Sequence, residues 1–200
     1  MKTITSLLLF SVCQLSFGQT DTNIMAIGDW SAPVTNDFWR LRGRLLVFDA
    51  EKGKEDTRPH LRVYVELQNS VPVRGRPLEF YFDRGNLCLH LLDGHDKPIA
   101  LETGFYVRPP SESFTITLPP ESTIRMPVGF ASQSSTKPNG LVLSNGAGRY
   151  WTIRPDSKND YYLSATFSRP TNHPSSLNYI VWQGTLQLPK VKIPTENIRK

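Results

Sequence analysis

The sequence predicts an all-β fold, an antiparallel β-sandwich of about eight or nine strands. Three observations carry that reading. From residue 41 onward, apolar residues recur at every second position, the pattern of strands with one buried face. Turn-forming residues interrupt these runs at short intervals. Sixteen prolines and thirteen glycines are spread so evenly that no interval would hold a long amphipathic helix.

Taken in order, residues 1–18 read as a secretory signal peptide. Met1-Lys2 supplies a positive start, Ile4 to Val12 an apolar stretch, and Ser16-Phe17-Gly18 a small-x-small cleavage site. The mature chain would begin at Gln19. The apolar stretch is shorter than the roughly 20 residues a bilayer requires, and no later stretch matches it, so no transmembrane segment is expected. Cys13 invites a lipoprotein reading, but Val12 before it is larger than that cleavage box normally accepts.

Residues 19–40 form a polar lead-in in which Trp30, Phe38 and Trp39 stand out. The sandwich domain is expected over 41–193. Within it, Leu61, Val63, Val65 and Leu67 alternate with Arg62, Tyr64, Glu66 and Gln68. The same period sets Leu78, Phe80 and Phe82 on one face, then Leu87, Leu89 and Leu91. It continues through Phe114, Ile116 and Leu118, then Ile124, Met126 and Val128. Leu163, Ala165 and Phe167 follow, before Trp182, Leu186 and Leu188. Asp83-Arg84-Gly85-Asn86, Asp93-Gly94, Pro119-Pro120, Pro138-Asn139-Gly140 and Asn145-Gly146 favour reversals between the runs. Residues 194–200 read as a flexible tail.

Charge and cysteine content narrow the class. Loss of residues 1–18 removes one lysine and no acid, lowering the formal net charge from +5 to +4. Only Cys88 would remain, so no intrachain disulfide can form and the exported chain must rely on its core. No Asn-x-Ser/Thr sequon occurs, which fits a bacterial periplasmic or secreted protein. Nucleic acid is not an expected partner in that compartment.

Few residues suggest chemistry. Cys88 and His90 lie two apart, on one face of a strand, and Asp93, His95 and Asp96 follow at a turn. Thiolate and imidazole are zinc ligands, but structural zinc sites are signalled by paired short spacings, and only one is present. No Gly-x-Ser-x-Gly elbow or His-Glu-x-x-His helix occurs, and His60, His90, His95 and His173 all stand beside turn or strand residues. Arg40, Arg42 and Arg44 alternate on the first strand, with Arg62 a candidate to lie across from them and Arg74 and Arg76 in the next loop. Such a face could meet a polyanion or simply form the wet side of a strand. Tyr64, Tyr81 and Tyr162 alternate away from the expected core, where they could stack on a sugar or anchor a partner.

Asp160-Tyr161-Tyr162-Leu163-Ser164 resembles the tyrosine corner of immunoglobulin-like domains. The resemblance implies an immunoglobulin-like sandwich and gives Tyr162 a structural role, its hydroxyl pinning an upstream loop. Ser164 stands where antibody-type domains carry their second cysteine, so no inter-sheet disulfide is implied. Val65 to Asn69, Leu78 to Phe82 and Leu91 to Gly94 are similar to bacterial immunoglobulin-like domains, including the intracellular proteinase inhibitor family of the subtilisin type. Trp30 to Val34 and Leu41 to Leu45 look like the start of uncharacterised secreted bacterial proteins. The resemblance carries no catalytic residue across.

The expectation is therefore an exported, non-enzymatic binding or structural module of the bacterial cell envelope or extracellular space. Its partner would be an unknown protein or polysaccharide, engaged by loops 50–60, 104–112, 130–150 and 168–178. No catalytic, cofactor-binding or metal residue is assigned. A proteinase inhibitor and a carbohydrate-binding module are the alternatives, with a zinc hydrolase built on Cys88 and His90 behind them.

Overall fold

The computed structural model describes residues 24–36, 39–49, 60–72, 77–103, 113–133, 140–144, 149–154, 159–169 and 182–195. Residues 1–18, read above as a signal peptide, and residues 196–200 of the expected tail lie outside the described residues. The fold is all-β, and its antiparallel sheets do not close into a barrel. The strands are β1 (Ile24–Ile27), β2 (Val34–Asn36), β3 (Trp39–Asp49), β4 (His60–Asn69), β5 (Leu78–Asp83), β6 (Leu87–Asp93) and β7 (Glu102–Thr103). They continue as β8 (Ser113–Leu118), β9 (Thr123–Gln133), β10 (Leu141–Ser144), β11 (Arg149–Ile153), β12 (Tyr161–Arg169) and β13 (Gly184–Ile193). A large sheet runs β1-β3-β4-β9-β10-β11-β7, with β2 also on β3. Smaller sheets run β13-β12-β6 and β5-β8.

Alternation sets the faces. Along β12, Tyr161, Leu163, Ala165, Phe167 and Arg169 are buried while the residues between them are half-buried. From the large sheet, Leu41, Leu45, Val47, Leu61, Val63, Val65 and Leu67 meet Leu186, Leu188, Leu89 and Leu91 in one core. Phe167 stacks on Phe82 and on Trp182, each at 5.8 Å between centroids, with Phe80 edge-on at 6.3 Å. Such pairs contribute about 0.5–1.5 kcal/mol beyond the area they bury. Gly43 lets β3 come close to β13: a Cβ there would lie 2.6 Å from Leu188 Cδ2 and 2.8 Å from Leu67 Cδ2.

Two devices fix the strand ends and register. Asn69 is fully buried; its Nδ2 donates to the Leu118 carbonyl at 2.9 Å, tying the end of β4 to β8. Pro127 lies inside a central strand, a position that removes a ladder donor. It is accommodated by a bulge, where the β4–β9 register shifts between Val63 and Tyr64.

Several elements differ from the sequence reading. There are thirteen strands among the described residues, because short strands flank the periodic ones. The lead-in is built into the sheet: β1 and β2 both pair with β3, and Gly28 and Ser31 donate backbone bonds to Leu45 and Gly43 between them. The stretch 130–150 is not one loop. β9 runs on to Gln133, and β10 and β11 form a hairpin there, with Leu141, Leu143, Trp151 and Ile153 buried. Most of the loops 50–60, 104–112 and 168–178 lie outside the described residues.

Candidate functional site

The outward face of the large sheet carries the most organised constellation of polar and aromatic side chains. Even-numbered residues of β3 and β4 point to it, and cross-strand register decides the pairs. Arg42 faces Gln68, Arg44 faces Glu66, Leu46 faces Tyr64 and Phe48 faces Arg62. On the far side of β4, Glu66 faces Arg125 of β9. Arg44 Nε donates to Glu66 Oε2 at 2.5 Å, and Arg125 Nη2 donates to Glu66 Oε1 at 3.1 Å. Two guanidiniums thus share one carboxylate. Glu66 is nearly buried, and burial of an ionised carboxylate is tolerable only with such partners.

The aromatic half comes from the lead-in. Between β1 and β2 the chain leaves the ladder but stays anchored: Ser31 donates its N–H to the Gly43 carbonyl, and Gly43 N–H donates to Ser31 Oγ at 3.0 Å. That anchor sets Trp30 against the arginine row. Arg42 and Arg44 carry their Cζ atoms 4.7 and 4.4 Å from its ring centroid. Arg42 Nε also donates to Gln68 Oε1 at 2.6 Å. Farther along, Arg125 lies 5.3 Å over Phe48, which meets Tyr64 edge-on at 4.9 Å.

Arg40 and Arg62 are exposed on the same face. Around Glu66, then, Arg40, Arg42, Arg44, Arg62 and Arg125 leave the strands β3, β4 and β9 with a surplus of positive charge. Arginine suits this role, since its planar guanidinium stacks on a ring while its N–H edge stays open to a planar anion. Chemically, the arrangement can hold an anionic polymer against a rigid surface.

The other candidates separate. Arg62 lies across from Phe48, and Glu66 takes the place opposite Arg44. Arg74 and Arg76 lie outside the described residues, as does His173. Tyr64 is not an exposed platform: it is 8% exposed, enclosed with Leu46 and Phe48. Tyr81 and Tyr162 are half-buried beneath cations, Arg169 at 5.4 Å and Lys190 at 4.8 Å. The backbone-pinning role expected of Tyr162 falls to its neighbour. Tyr161, not Tyr162, is buried, and its hydroxyl accepts the Arg154 N–H at 3.4 Å. Parity explains this, because position 161 shares the inward face of β12 with Leu163.

Cys88 and His90 are both exposed, on the outward face of β6 opposite Thr166 and Ser164. Asp93 is occupied in its turn: its Oδ1 accepts the N–H groups of His95 at 2.8 Å and Lys97 at 2.9 Å. Those two bonds, that to Lys97 foremost, hold its carboxyl below the ordinary carboxylate range. Asp96 pairs with Lys190 at 2.5 Å. Among the described residues, no group of three or more His, Cys, Asp and Glu side chains converges as a metal site would.

Trp30, Glu66 and Gln68 stand out in the sequence only as a lead-in aromatic and as outward strand positions, and nothing in it marks Arg125. Their assembly depends on the β3–β4 and β4–β9 registers. No family model matches the chain, and comparison with curated proteins and with solved structures returns no match.

Proposed function

We propose that this chain is an exported, non-enzymatic binding module that holds an acidic polysaccharide of the cell envelope against the outward face of β3, β4 and β9. One observation carries the reading: the positive surplus of the arginine–aromatic face, where Arg44 and Arg125 share the single carboxylate of Glu66 while Arg40 and Arg62 stand exposed. Trp30 beside Arg42 and Arg44 adds an aromatic surface of the kind sugars stack on. The leader pattern at 1–18 supports export, and no described helix is long and apolar enough to cross a membrane.

The test is calorimetric titration with polygalacturonate and, separately, neutral dextran at low and moderate salt. Binding to the acidic polymer alone, weakening as salt rises, is the expected outcome. Arg40→Gln combined with Arg62→Gln should weaken it while leaving thermal unfolding unchanged, because both side chains are exposed. Equal binding to dextran, or no binding to polygalacturonate at low salt, would overturn the proposal.

A further inference from the structure

A second unusual feature lies at the end of the sandwich where β2, β5, β12 and β13 meet. The inward row of β12 is Tyr161, Leu163, Ala165 and Phe167, and the next position in that row is Arg169. A guanidinium therefore caps an apolar stack, and Arg169 is only 8% exposed. Its Nη1 is buried with no hydrogen-bond partner among the described residues, and the same is true of Nε1 of Trp182, which is 0% exposed.

Both orphaned donors belong to this end of the sandwich, since Trp182 stacks on Phe167, the residue before Arg169 in the inward row of β12. Arg169 is the register partner of Gly184, so both present the same face. Gly184 has no side chain, and a Cβ built there would lie 3.1 Å from Trp182 Cζ2 and 3.3 Å from Val34 Cγ1. Its φ of +149° suits glycine, so Trp182 and Val34 close tightly on the backbone at this point. Trp182 is fixed by its backbone N–H, which donates to the Glu79 carbonyl of β5 at 2.8 Å. From that strand, Tyr81 supplies an aromatic wall 5.4 Å from the Arg169 guanidinium carbon.

A buried guanidinium N–H and a buried indole N–H without partners are each costly, and both are served by an acceptor at this end of the sandwich. Burial pulls the Arg169 guanidinium below its ordinary value, with Tyr81 opposing, as expected of a cation that lacks a counter-charge. A carboxylate fits the inventory: its two oxygens match one guanidinium edge and one indole N–H between aromatic walls. Phosphate or sulfate would bring more oxygens than these donors serve.

We propose that Arg169 and Trp182, walled by Tyr81, form a binding site for the carboxylate group of a small ligand. The site is distinct from the arginine–aromatic face and does not depend on it. A uronic acid and a peptide C-terminus share this chemistry.

The test follows the Trp182 indole N–H resonance by two-dimensional NMR of the purified protein during titration. The probes are acetate, galacturonate and N-acetylalanine, with acetamide and methyl galacturonate as uncharged controls. Saturable downfield movement with the carboxylates and not the controls is expected, and the tighter of galacturonate and N-acetylalanine identifies the source. Arg169→Gln should weaken that binding at least tenfold. Should that variant fail to fold, the wild-type protein still decides: carboxylates should raise its Tm with concentration while the controls do not. No saturable movement with any carboxylate, equal movement with the controls, or undiminished binding by a folded Arg169→Gln would overturn the proposal.

Discussion

Replacing Glu66 by Gln should lower stability and raise affinity for acidic polymers at once, a combination few other substitutions would give. The carboxylate side chain is 6% exposed and receives Arg44 at 2.5 Å and Arg125 at 3.1 Å. A hydrogen bond to a charged group contributes about 1.5–3 kcal/mol when well buried. The two arginine side chains keep 25% and 30% of their exposure, so solvent screening brings each bond to about 1 kcal/mol. The expected loss is about 2 kcal/mol, or about 4–8 °C in Tm for a domain of this size. Urea unfolding followed by circular dichroism should show a lower midpoint at an unchanged slope. Polygalacturonate binding at low salt should tighten, since the face loses its central negative charge. A stability change below about 0.5 kcal/mol, the range of ordinary surface positions, would refute the energetic reasoning. Weaker polymer binding would refute the electrostatic one.

Three further outcomes are expected. Gly43→Ala should cost about 1–3 kcal/mol in denaturant unfolding, because its Cβ meets Leu188 and Leu67 methyls at 2.6 and 2.8 Å. Tyr161→Phe should cost about 1 kcal/mol and Tyr162→Phe less than about 0.5 kcal/mol; the reverse order would give the structural role to Tyr162. The lowered Asp93 carboxyl adds stability above its unfolded value near 3.8, and that contribution is lost as pH falls through the folded value. The gap in urea midpoint between wild type and Asp93→Ala should therefore narrow on acidification below 3.8, and a constant gap would contradict the turn's role.

Much of the sandwich was legible because burial on one face leaves a period of two. Leu61 to Leu67, Leu78 to Phe82 and Leu163 to Phe167 all took the predicted faces. The β10–β11 hairpin escaped because Leu141-Val142-Leu143 is a continuous apolar run flanked by Ser, Asn and Gly, which read as loop. Tyr64 and Glu66 looked wet by alternation, yet both are buried, since aromatic and arginine neighbours cover that side of the sheet as well. The arginine row of β3 was visible, whereas its anchor was not: matching Arg44 to Glu66, and Glu66 to Arg125, requires register across loops whose lengths the periodicity does not encode. Nor could alternation alone show that the inward row of β12 ends in a cation.

The most direct measurement of the proposed function is a backbone-amide NMR map of the protein with and without a short galacturonate oligomer. Shifts should concentrate on Trp30, Arg40 to Arg44, Arg62 to Gln68 and Thr123 to Arg125. Shifts gathered instead on the outward residues of β6, β12 and β13, or none at low salt, would contradict the proposed function.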